Sequence, residues 1–201
     1  MKSLKIGDYG KQHMKILQIN ELVKKQLRES GISKLMRSFE SCEWIVVEEL
    51  ENRIIGVAGM GGLFHVSAIQ IIDEFQGRGI GTKLQKAVIK ESKRRGYSFI
   101  VVYLDPRNKA SVKLHNSLGY VRIFRIHYSP HVIQDIMILI FNSWGQIIAK
   151  LLRLFNTKAG MFFLGCLLKI FRFAFPNIIL YNENNPPKPS IRWILKNFEK
   201  V

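Results

Sequence analysis

The sequence has few acidic residues and only two cysteines. Its 201 residues contain 15 Asp and Glu against 31 Lys and Arg, which gives a formal net charge of +16 at pH 7. Such an excess of positive charge favours anionic partners: nucleic acid, a lipid surface or a phosphorylated substrate. Cys42 and Cys166 are far apart and have no neighbouring Cys or His at metal-ligand spacing. This pattern fits a reducing compartment and the absence of a structural zinc site.

The first residues also lack the apolar stretch of a secretory signal, so a cytoplasmic protein is expected. Hydrophobic residues make up 47% of the chain, as in ordinary globular proteins. The length allows one main domain and an appendage. We place the main domain at residues 1–142 and the appendage, a basic amphipathic helical extension, at residues 143–201.

Hydrophobic periodicity predicts an α+β fold with a mixed sheet. Apolar residues at helical spacing predict helices, and apolar β-branched runs predict strands. The predicted helices span residues 11–30, 32–39, 82–95 and 109–118, and the predicted strands span residues 44–49, 54–60, 65–72, 99–104, 120–128 and 133–141. The first two strands form a hairpin, and the strand at 99–104 is apolar enough to be central and covered on both faces.

A glycine-rich segment joins the strand at 65–72 to the helix at 82–95. Three glycines at alternate positions let the backbone turn several N–H groups toward one point, beside a helix N-terminus. This is the pattern of a phosphate or pyrophosphate site, to which Thr82 adds a hydroxyl group and Arg78 a positive charge. The segment consists of Gln76, Gly77, Arg78, Gly79, Ile80, Gly81 and Thr82.

Two other phosphate-binding loops do not fit this segment. The Walker pattern requires a Lys before the Ser or Thr, whereas Lys83 follows Thr82. The dinucleotide fingerprint requires two residues between its last two glycines, whereas only Ile80 separates Gly79 from Gly81.

The segment resembles the signature of the GNAT superfamily of N-acetyltransferases: Gln or Arg, two residues, Gly, one residue, then Gly or Ala. Gln76, Gly79 and Gly81 match it. Residues 108–120 resemble a second family segment, Asn-x-x-Ala/Ser followed by Leu-Tyr-x-x-x-Gly-Phe, with Asn108 at its start. The resemblance extends over residues 4–141.

This resemblance implies an N-acyltransferase that uses acetyl-CoA as co-substrate and acts on the primary amine of an unidentified acceptor. It implies no metal ion. It also implies a mostly antiparallel sheet flanked by helices, in which two strands splay apart to admit the pantetheine arm. Ile71 and Ile72 would offer backbone groups to that arm, and Asn108 would contact it from the other side. The pyrophosphate would lie on residues 76–82.

The family commonly protonates the departing thiolate with a Tyr, and here the chain departs from the pattern. The aligned residue is His115, which either replaces that Tyr as the acid or only packs on the sheet while solvent supplies the proton. For the base, His65 is the first candidate, followed by Glu48 or Glu49. Strand alternation places these two glutamates on opposite faces.

The extension contains two apolar runs with basic residues, at 147–155 and 161–175. Lys169 and Arg172 interrupt the second run before the length of about 20 residues that a membrane span requires. Two alternatives remain: residues 144–175 lie on an anionic inner membrane surface, or they pack on the sheet or form a dimer interface. A last short helix is expected at residues 191–198.

A competing function is a catalytically inactive GNAT-fold module that binds an anionic partner, either a membrane surface or nucleic acid. The core lacks the interleaved aromatic and basic residues of an RNA-binding sheet, so a nucleic acid partner is not expected.

Overall fold

The computed structural model describes residues 12–32, 36–40, 42–61, 66–170 and 190–201. Within these ranges the strands are β1 Gln12–Leu17, β2 Cys42–Leu50, β3 Arg53–Gly61, β4 Val66–Ile71, β5 Phe99–Leu104, β6 Val121–Ser129 and β7 Val132–Ile140. The helices are α1 Glu21–Glu29, α2 Met36–Glu40, α3 Ile80–Arg94, α4 Lys109–Ser117, α5 Ser143–Arg153, α6 Lys158–Ile170 and α7 Ile191–Lys196, and a short 3-10 turn spans Asp73–Phe75.

The strands of the described ranges form one sheet in the order β1-β2-β3-β4-β5-β7-β6. Neighbouring strands are antiparallel except β4 and β5, which run parallel. The expected mixed, mostly antiparallel sheet flanked by helices is confirmed. The predicted hairpin is β2 and β3, and the predicted central strand is β5, at the predicted bounds.

The helix predicted over residues 11–30 is wrong in its first half. Residues 12–17 form β1, which pairs with β2 along its whole length, from Gln12 opposite Leu50 to Leu17 opposite Ile45. The helix α1 begins only after Asn20, whose side chain accepts a hydrogen bond from the Val23 N–H at 2.9 Å. Pairing with a sheet edge therefore outweighs the local helical periodicity.

Helices α3 and α4 cover one face of the sheet, which we call the α3 face. Strand alternation directs Ile100, Val102 and Leu104 of β5 into the apolar core beneath these helices. On the opposite face, α1 and α2 pack over β2 and β3, with Val47 and Val57 in the shared core.

The helices α5, α6 and α7 cover the remaining part of the opposite face. Ala149 of α5, Met161 of α6 and Ile194 of α7 are buried in one core with Val101 and Ile138 of the sheet. The burial of these inner-face residues agrees with the alternative in which the extension packs on the sheet. Residues 171–175, the end of the second predicted helical run, lie outside the described residues.

The chain end is attached by polar contacts as well as by this core. The Asn156 side chain accepts from the Val201 N–H at 3.0 Å and donates to the Val201 carbonyl at 2.7 Å. Glu199 accepts a hydrogen bond from Arg125 of β6 at 2.9 Å. Residues 190–201 are therefore held against both α5–α6 and the sheet.

Candidate active site

The two parallel strands β4 and β5 meet at one end and separate at the other. Val66 is paired with Val101, and no further pair is formed between the described residues of these strands. Beyond Val66, β4 pairs only with β3, up to Gly56 opposite Ile71. The carboxyl end of β4 therefore borders a gap in the sheet, as the family resemblance implied.

The segment that follows β4 is fixed to the end of that strand by Gln76. Its side-chain amide donates to the Ile71 carbonyl at 3.3 Å and to the Asp73 carboxylate at 2.8 Å. These bonds hold the 3-10 turn Asp73–Phe75 against β4. Gln76, although exposed, thus orders the loop through its own side chain.

The next residues bring backbone N–H groups to the mouth of the gap. Gly77 and Gly79 have φ angles of +75° and +77°, and a Cβ atom at either position would meet no atom within 4 Å. Positive φ explains why glycine stands there, and the empty space explains how a ligand could approach the backbone. Helix α3 starts directly after Gly79 without a side-chain cap, so its first N–H groups are available to an anion.

The side chains around this loop have separate roles. Ile80 is buried in the core, so only its backbone can contact a ligand. The Arg78 guanidinium lies over the Phe75 ring, 5.1 Å from its centroid, at the exposed edge of the loop. A Cβ on Gly81 would lie 3.1 Å from Ile71, so the first turn of α3 approaches the end of β4 closely. Thr82 is half-buried in the same turn.

The backbone of Ile72 does not present its N–H to the gap. That N–H donates to the Ile55 carbonyl of β3 at 3.0 Å. Because backbone groups alternate in direction along a strand, those of Ile71 and Ile69 point the other way, toward β5. The prediction that the Ile72 N–H would be offered to the pantetheine arm is therefore wrong. Ile69 and Ile71 are instead the residues whose backbone groups lie at the gap.

Asn108 stands at the start of α4 as its N-cap. Its side-chain oxygen accepts a hydrogen bond from the Ser111 N–H at 3.1 Å. This bond fixes the first turn of α4 after β5 and occupies the side-chain oxygen. The amide nitrogen is the part of Asn108 that suits a ligand carbonyl.

The imidazole of His115 is buried in the last turn of α4. Its Nδ1 lies 2.8 Å from the Ser111 carbonyl oxygen, which can only accept, so Nδ1 carries the hydrogen. Burial lowers the pKa of His115 below its usual 6.5, although the bond to Ser111 opposes this shift. The neutral ring therefore has a bare lone pair on Nε2.

His115 also belongs to a buried polar chain that the sequence did not reveal. Its ring packs edge-on against Tyr120, with centroids 5.0 Å apart. The Tyr120 hydroxyl accepts a hydrogen bond from Gln85 of α3 at 2.7 Å, and Gln85 accepts one from the Ser67 hydroxyl at 3.3 Å. Ser67 directly follows Val66, so the chain ends where β4 and β5 meet. The sequence signal for this chain was Gln85, a polar residue on the otherwise apolar side of α3.

Glu48 lies close to the start of α3. Glu48 is buried on the α3 face of β2, two strands away from β4, and lies 3.9 Å from Lys83 of α3. Its neighbour Glu49 points to the opposite face and pairs with Lys15 of β1 at 2.6 Å. The predicted opposite orientation is confirmed, and Glu49 is engaged by Lys15 on the face away from α3. The role of Glu48 as the base stays a prediction. His65 lies outside the described residues.

Two further polar groups near the site have local partners. Asp105, after β5, accepts hydrogen bonds from Arg107, which lower the pKa of the carboxyl group. This agrees with a turn carboxylate. Burial raises the pKa of the Cys42 thiol to about 12, which agrees with a small apolar residue rather than a nucleophile. In the described ranges no three His, Cys, Asp or Glu side chains are grouped to hold a metal ion.

An open pocket of about 350 Å³ lies beside the end of β4. It is lined by Gln70 and Ile72 of the strand end, by Gly31 after α1, and by Arg53 of the β2–β3 hairpin. The end of β4 thus has open space beside it in addition to the gap toward β5.

Comparison with known proteins agrees with this geometry. The model of the GNAT acetyltransferase family matches residues 16–120. N-alpha-acetyltransferase 30 of Schizosaccharomyces pombe is 28% identical over 132 residues, which are 61% of this chain and 87% of that protein. An L-amino acid N-acyltransferase of Escherichia coli is 31% identical over 85 residues, covering 38% of this chain and 49% of that protein.

Solved structures show the same fold at low sequence identity. An acetyltransferase of Salmonella typhimurium, solved with its cofactor acetyl-CoA, has a TM-score of 0.50 and 18% identity, covering 65% of this chain and 95% of that one. The IAA acetyltransferase of Bacillus cereus has a TM-score of 0.53 and 14% identity, covering 65% and 100%. Since the family match includes β4, the glycine loop, α3 and α4, the chain belongs to the GNAT family of acetyltransferases.

Proposed function

We propose that this chain transfers an acetyl group from acetyl-CoA to a primary amine. The observation that carries the proposal is the uncapped N-terminus of α3, with Gly77 and Gly79 beside it, at the mouth of the gap between β4 and β5. Acetyl-CoA requires an anion site for its pyrophosphate next to a slot for its pantetheine arm. Both features stand side by side here.

Each part of the co-substrate has residues that suit it. The N–H groups of residues 77–82 bind the pyrophosphate, and Arg78 adds positive charge at the loop edge. The peptide-like arm pairs with the backbone groups of Ile69 and with the N–H of Ile71, whose carbonyl already accepts from Gln76. Asn108 contacts the arm with its amide nitrogen, because its oxygen already caps α4.

The reaction requires one proton to move from nitrogen to sulfur. The amine lone pair attacks the thioester carbonyl carbon, so a C–N bond forms and the C–S bond breaks. The nitrogen loses a proton to become an amide, and the departing thiolate gains one to become the free thiol of CoA. The protein must therefore accept a proton on one side of the reacting carbon and release it on the other.

We assign this transfer to Nε2 of His115. With Nδ1–H fixed on the Ser111 carbonyl, the neutral ring accepts the amine proton at Nε2 and gives it to the thiolate. This role differs from a permanently charged acid, which the low pKa of the buried ring disfavours. The contact between His115 and Tyr120, which is held in turn by Gln85 and Ser67, connects the ring to the residue that follows Val66 in β4.

Calorimetric titration with acetyl-CoA tests the binding part of the proposal. The variant is Gly79→Trp, which places a large side chain in the proposed pyrophosphate site. The matched control is Gly96→Trp at the other end of α3. Gly96 has a φ angle of +78° and no atom within 4 Å of a Cβ, so the backbone strain is the same while the proposed site is distant.

We expect the parent and Gly96→Trp to bind acetyl-CoA and Gly79→Trp to lose binding while remaining folded. If the folded parent fails to bind acetyl-CoA, or if the two variants bind equally, the proposal is overturned.

The acceptor is proposed only as a primary amine, with α-amino groups first in a screen. Two relatives are named for N-alpha-acetylation and for L-amino acids, and this supports starting with free amino acids and short peptides. Release of CoA thiol in the presence of each amine, compared with the amine-free rate, identifies an acceptor. Absence of transfer to any primary amine by a protein that binds acetyl-CoA would refute the amine assignment.

A further inference from the structure

Helix α5 is apolar on two sides. Its inner side carries Gly145 and Ala149, which are buried against the sheet. A second apolar row faces solvent at spacings of three, four and three residues, which places its members along one side of the helix. This row consists of Trp144, Ile147, Leu151 and Leu154, all exposed.

Helix α6 repeats this arrangement with aromatic residues. Its buried residues Met161, Gly165 and Leu168 face the core shared with α7 and the sheet. Phe162, Phe163 and Ile170 are exposed. Together with the row on α5 they form the α5–α6 surface: Trp144, Ile147, Leu151, Leu154, Phe162, Phe163 and Ile170.

The α5–α6 surface is not needed to hold the helices on the domain. Their inner faces already contribute to the core, so packing explains only half of their apolar residues. A soluble monomer rarely leaves several large aliphatic and aromatic side chains exposed on adjoining helices unless they meet a partner.

Charge identifies the kind of partner. The sequence contains no Asp or Glu between Asp135 and Glu183. Lys150, Arg153, Lys158 and Lys169 are exposed on the same two helices. A second copy of this chain would bring the same positive charges against these side chains and repel them. A partner with anionic groups at its surface and an apolar layer below them would match both the basic and the apolar side chains. An anionic lipid bilayer has this chemistry.

The helix geometry fits a surface contact. In the described ranges no single helix is long and apolar enough to cross a bilayer. The segments Ser143–Phe155 and Lys158–Ile170 together have the length and composition of a span, but a bend of 93° separates them. The inner faces of α5 and α6 are already committed to the protein core, so only the outer faces are free to meet lipid.

We propose that the α5–α6 surface attaches this protein peripherally to anionic membranes. The exposed Trp, Phe, Leu and Ile side chains enter the boundary between headgroups and acyl chains, while the lysines and Arg153 contact the lipid phosphates. This attachment does not depend on acetyl transfer, because it uses none of the residues at the gap between β4 and β5.

Flotation of the full chain with lipid vesicles tests the proposal. Vesicles of phosphatidylcholine alone are compared with vesicles of phosphatidylcholine and phosphatidylglycerol, at low and at high salt. The apolar variant is Leu154→Gln, and its control is Leu22→Gln on α1, because both leucines are 64% exposed on helices. The charge variant is Lys150→Gln, and its control is Lys90→Gln on the exposed side of α3.

We expect the parent to float with the anionic vesicles and less at high salt. Leu154→Gln should weaken binding about tenfold, as expected for a leucine withdrawn from lipid, and Lys150→Gln about fivefold. Both controls should bind like the parent. Sedimentation velocity without lipid, on the parent and on Leu154→Gln, determines whether the surface joins two copies instead.

Three results would overturn the proposal. The first is that the parent fails to float with anionic vesicles at low salt. The second is that the control variants weaken binding as much as the α5–α6 variants. The third is that Leu154→Gln converts a dimer to a monomer without changing flotation. The last result would assign the surface to a second copy of the chain.

Discussion

The imidazole of His115 donates its Nδ1–H to the carbonyl oxygen of Ser111, one helical turn earlier, at 2.8 Å. This bond selects the tautomer with a bare Nε2 and fixes the direction of that lone pair. An imidazole held in this way is a proton acceptor at neutral pH, since burial lowers its pKa below the usual 6.5. The bond therefore distinguishes a proton relay from the simple replacement of a Tyr acid.

Replacing His115 should reduce the rate of transfer without weakening acetyl-CoA binding. We expect His115→Phe to lower kcat about 100-fold, the range of general acid–base catalysis, with the Kd for acetyl-CoA unchanged in calorimetry. His115→Tyr restores a proton-carrying group and should recover part of the rate. Unchanged turnover in His115→Phe would assign the proton transfer to solvent.

The pH profile separates the two roles of His115. As pH falls through the lowered pKa, Nε2 takes up a proton and can no longer accept one, so a relay predicts that kcat declines only at a pH below the usual pKa of histidine. An acid that acts only in its protonated form would give the opposite slope, because it is lost as pH rises. The profile is divided by that of His115→Tyr, which removes the titration of the acceptor amine. A ratio that rises toward low pH would contradict the relay.

Much of the site could be predicted from the sequence because its signals are local. The loop at residues 76–82 combines glycines, a preceding strand and a following helix within one short segment, and β5 is recognisable from its uninterrupted apolar residues. Asn108 and His115 lie on one short helix at fixed spacing.

The features that were missed depend on contacts between distant segments. The chain of Ser67, Gln85 and Tyr120 joins a strand, a helix and the end of another helix, and nothing in the local sequence links them. The strand β1 reads as helix until its pairing with β2 is known. The face of the sheet to which Glu48 points could be predicted from strand alternation. Its proximity to Lys83 of α3 could not, because that contact joins distant segments.

A second pH dependence should come from Glu91 near the end of α3. Its carboxylate accepts hydrogen bonds from Arg94 at 2.6 and 2.7 Å and from Arg95 at 2.7 Å, and these bonds lower its pKa from 4.5 to about 2. Because the folded protein holds this carboxylate ionised, its contribution is fully present above pH 4.5 and is lost as pH falls toward 2.

We therefore expect Glu91→Gln to lower the free energy of unfolding by about 1 kcal/mol at neutral pH, a difference that shrinks below pH 4.5. Urea unfolding of parent and variant across this range measures it. Glu29→Gln is the control, because Glu29 pairs with Lys25 only at 3.7 Å and both side chains are well exposed. A difference that stays constant down to the lowest pH would contradict the ionised pair.

The attachment of the extension to the sheet depends on Gly145. A Cβ at this position would overlap the Ser98 carbonyl oxygen and lie 3.1 Å from Ile140, so glycine lets α5 approach the start of β5. Because the contacting atom of Ser98 is a backbone oxygen, it cannot rotate away as a side-chain atom would. Gly145→Ala should therefore push α5 away from the sheet.

Overpacking of this kind costs roughly 1–3 kcal/mol, against a gain of about 1 kcal/mol from replacing glycine inside a helix. The overlap with a backbone oxygen places the cost in the upper part of that range, about 2–3 kcal/mol, so we expect Gly145→Ala to be destabilised by about 1–2 kcal/mol net in urea unfolding. Gly165→Ala on α6 is the matched control. A Cβ there would meet the Ile191 side chain at 3.3 Å, which can adjust, so the same propensity gain should offset the contact. If Gly145→Ala unfolds at the same urea concentration as the parent, α5 does not depend on this close approach and the extension is held by its other contacts.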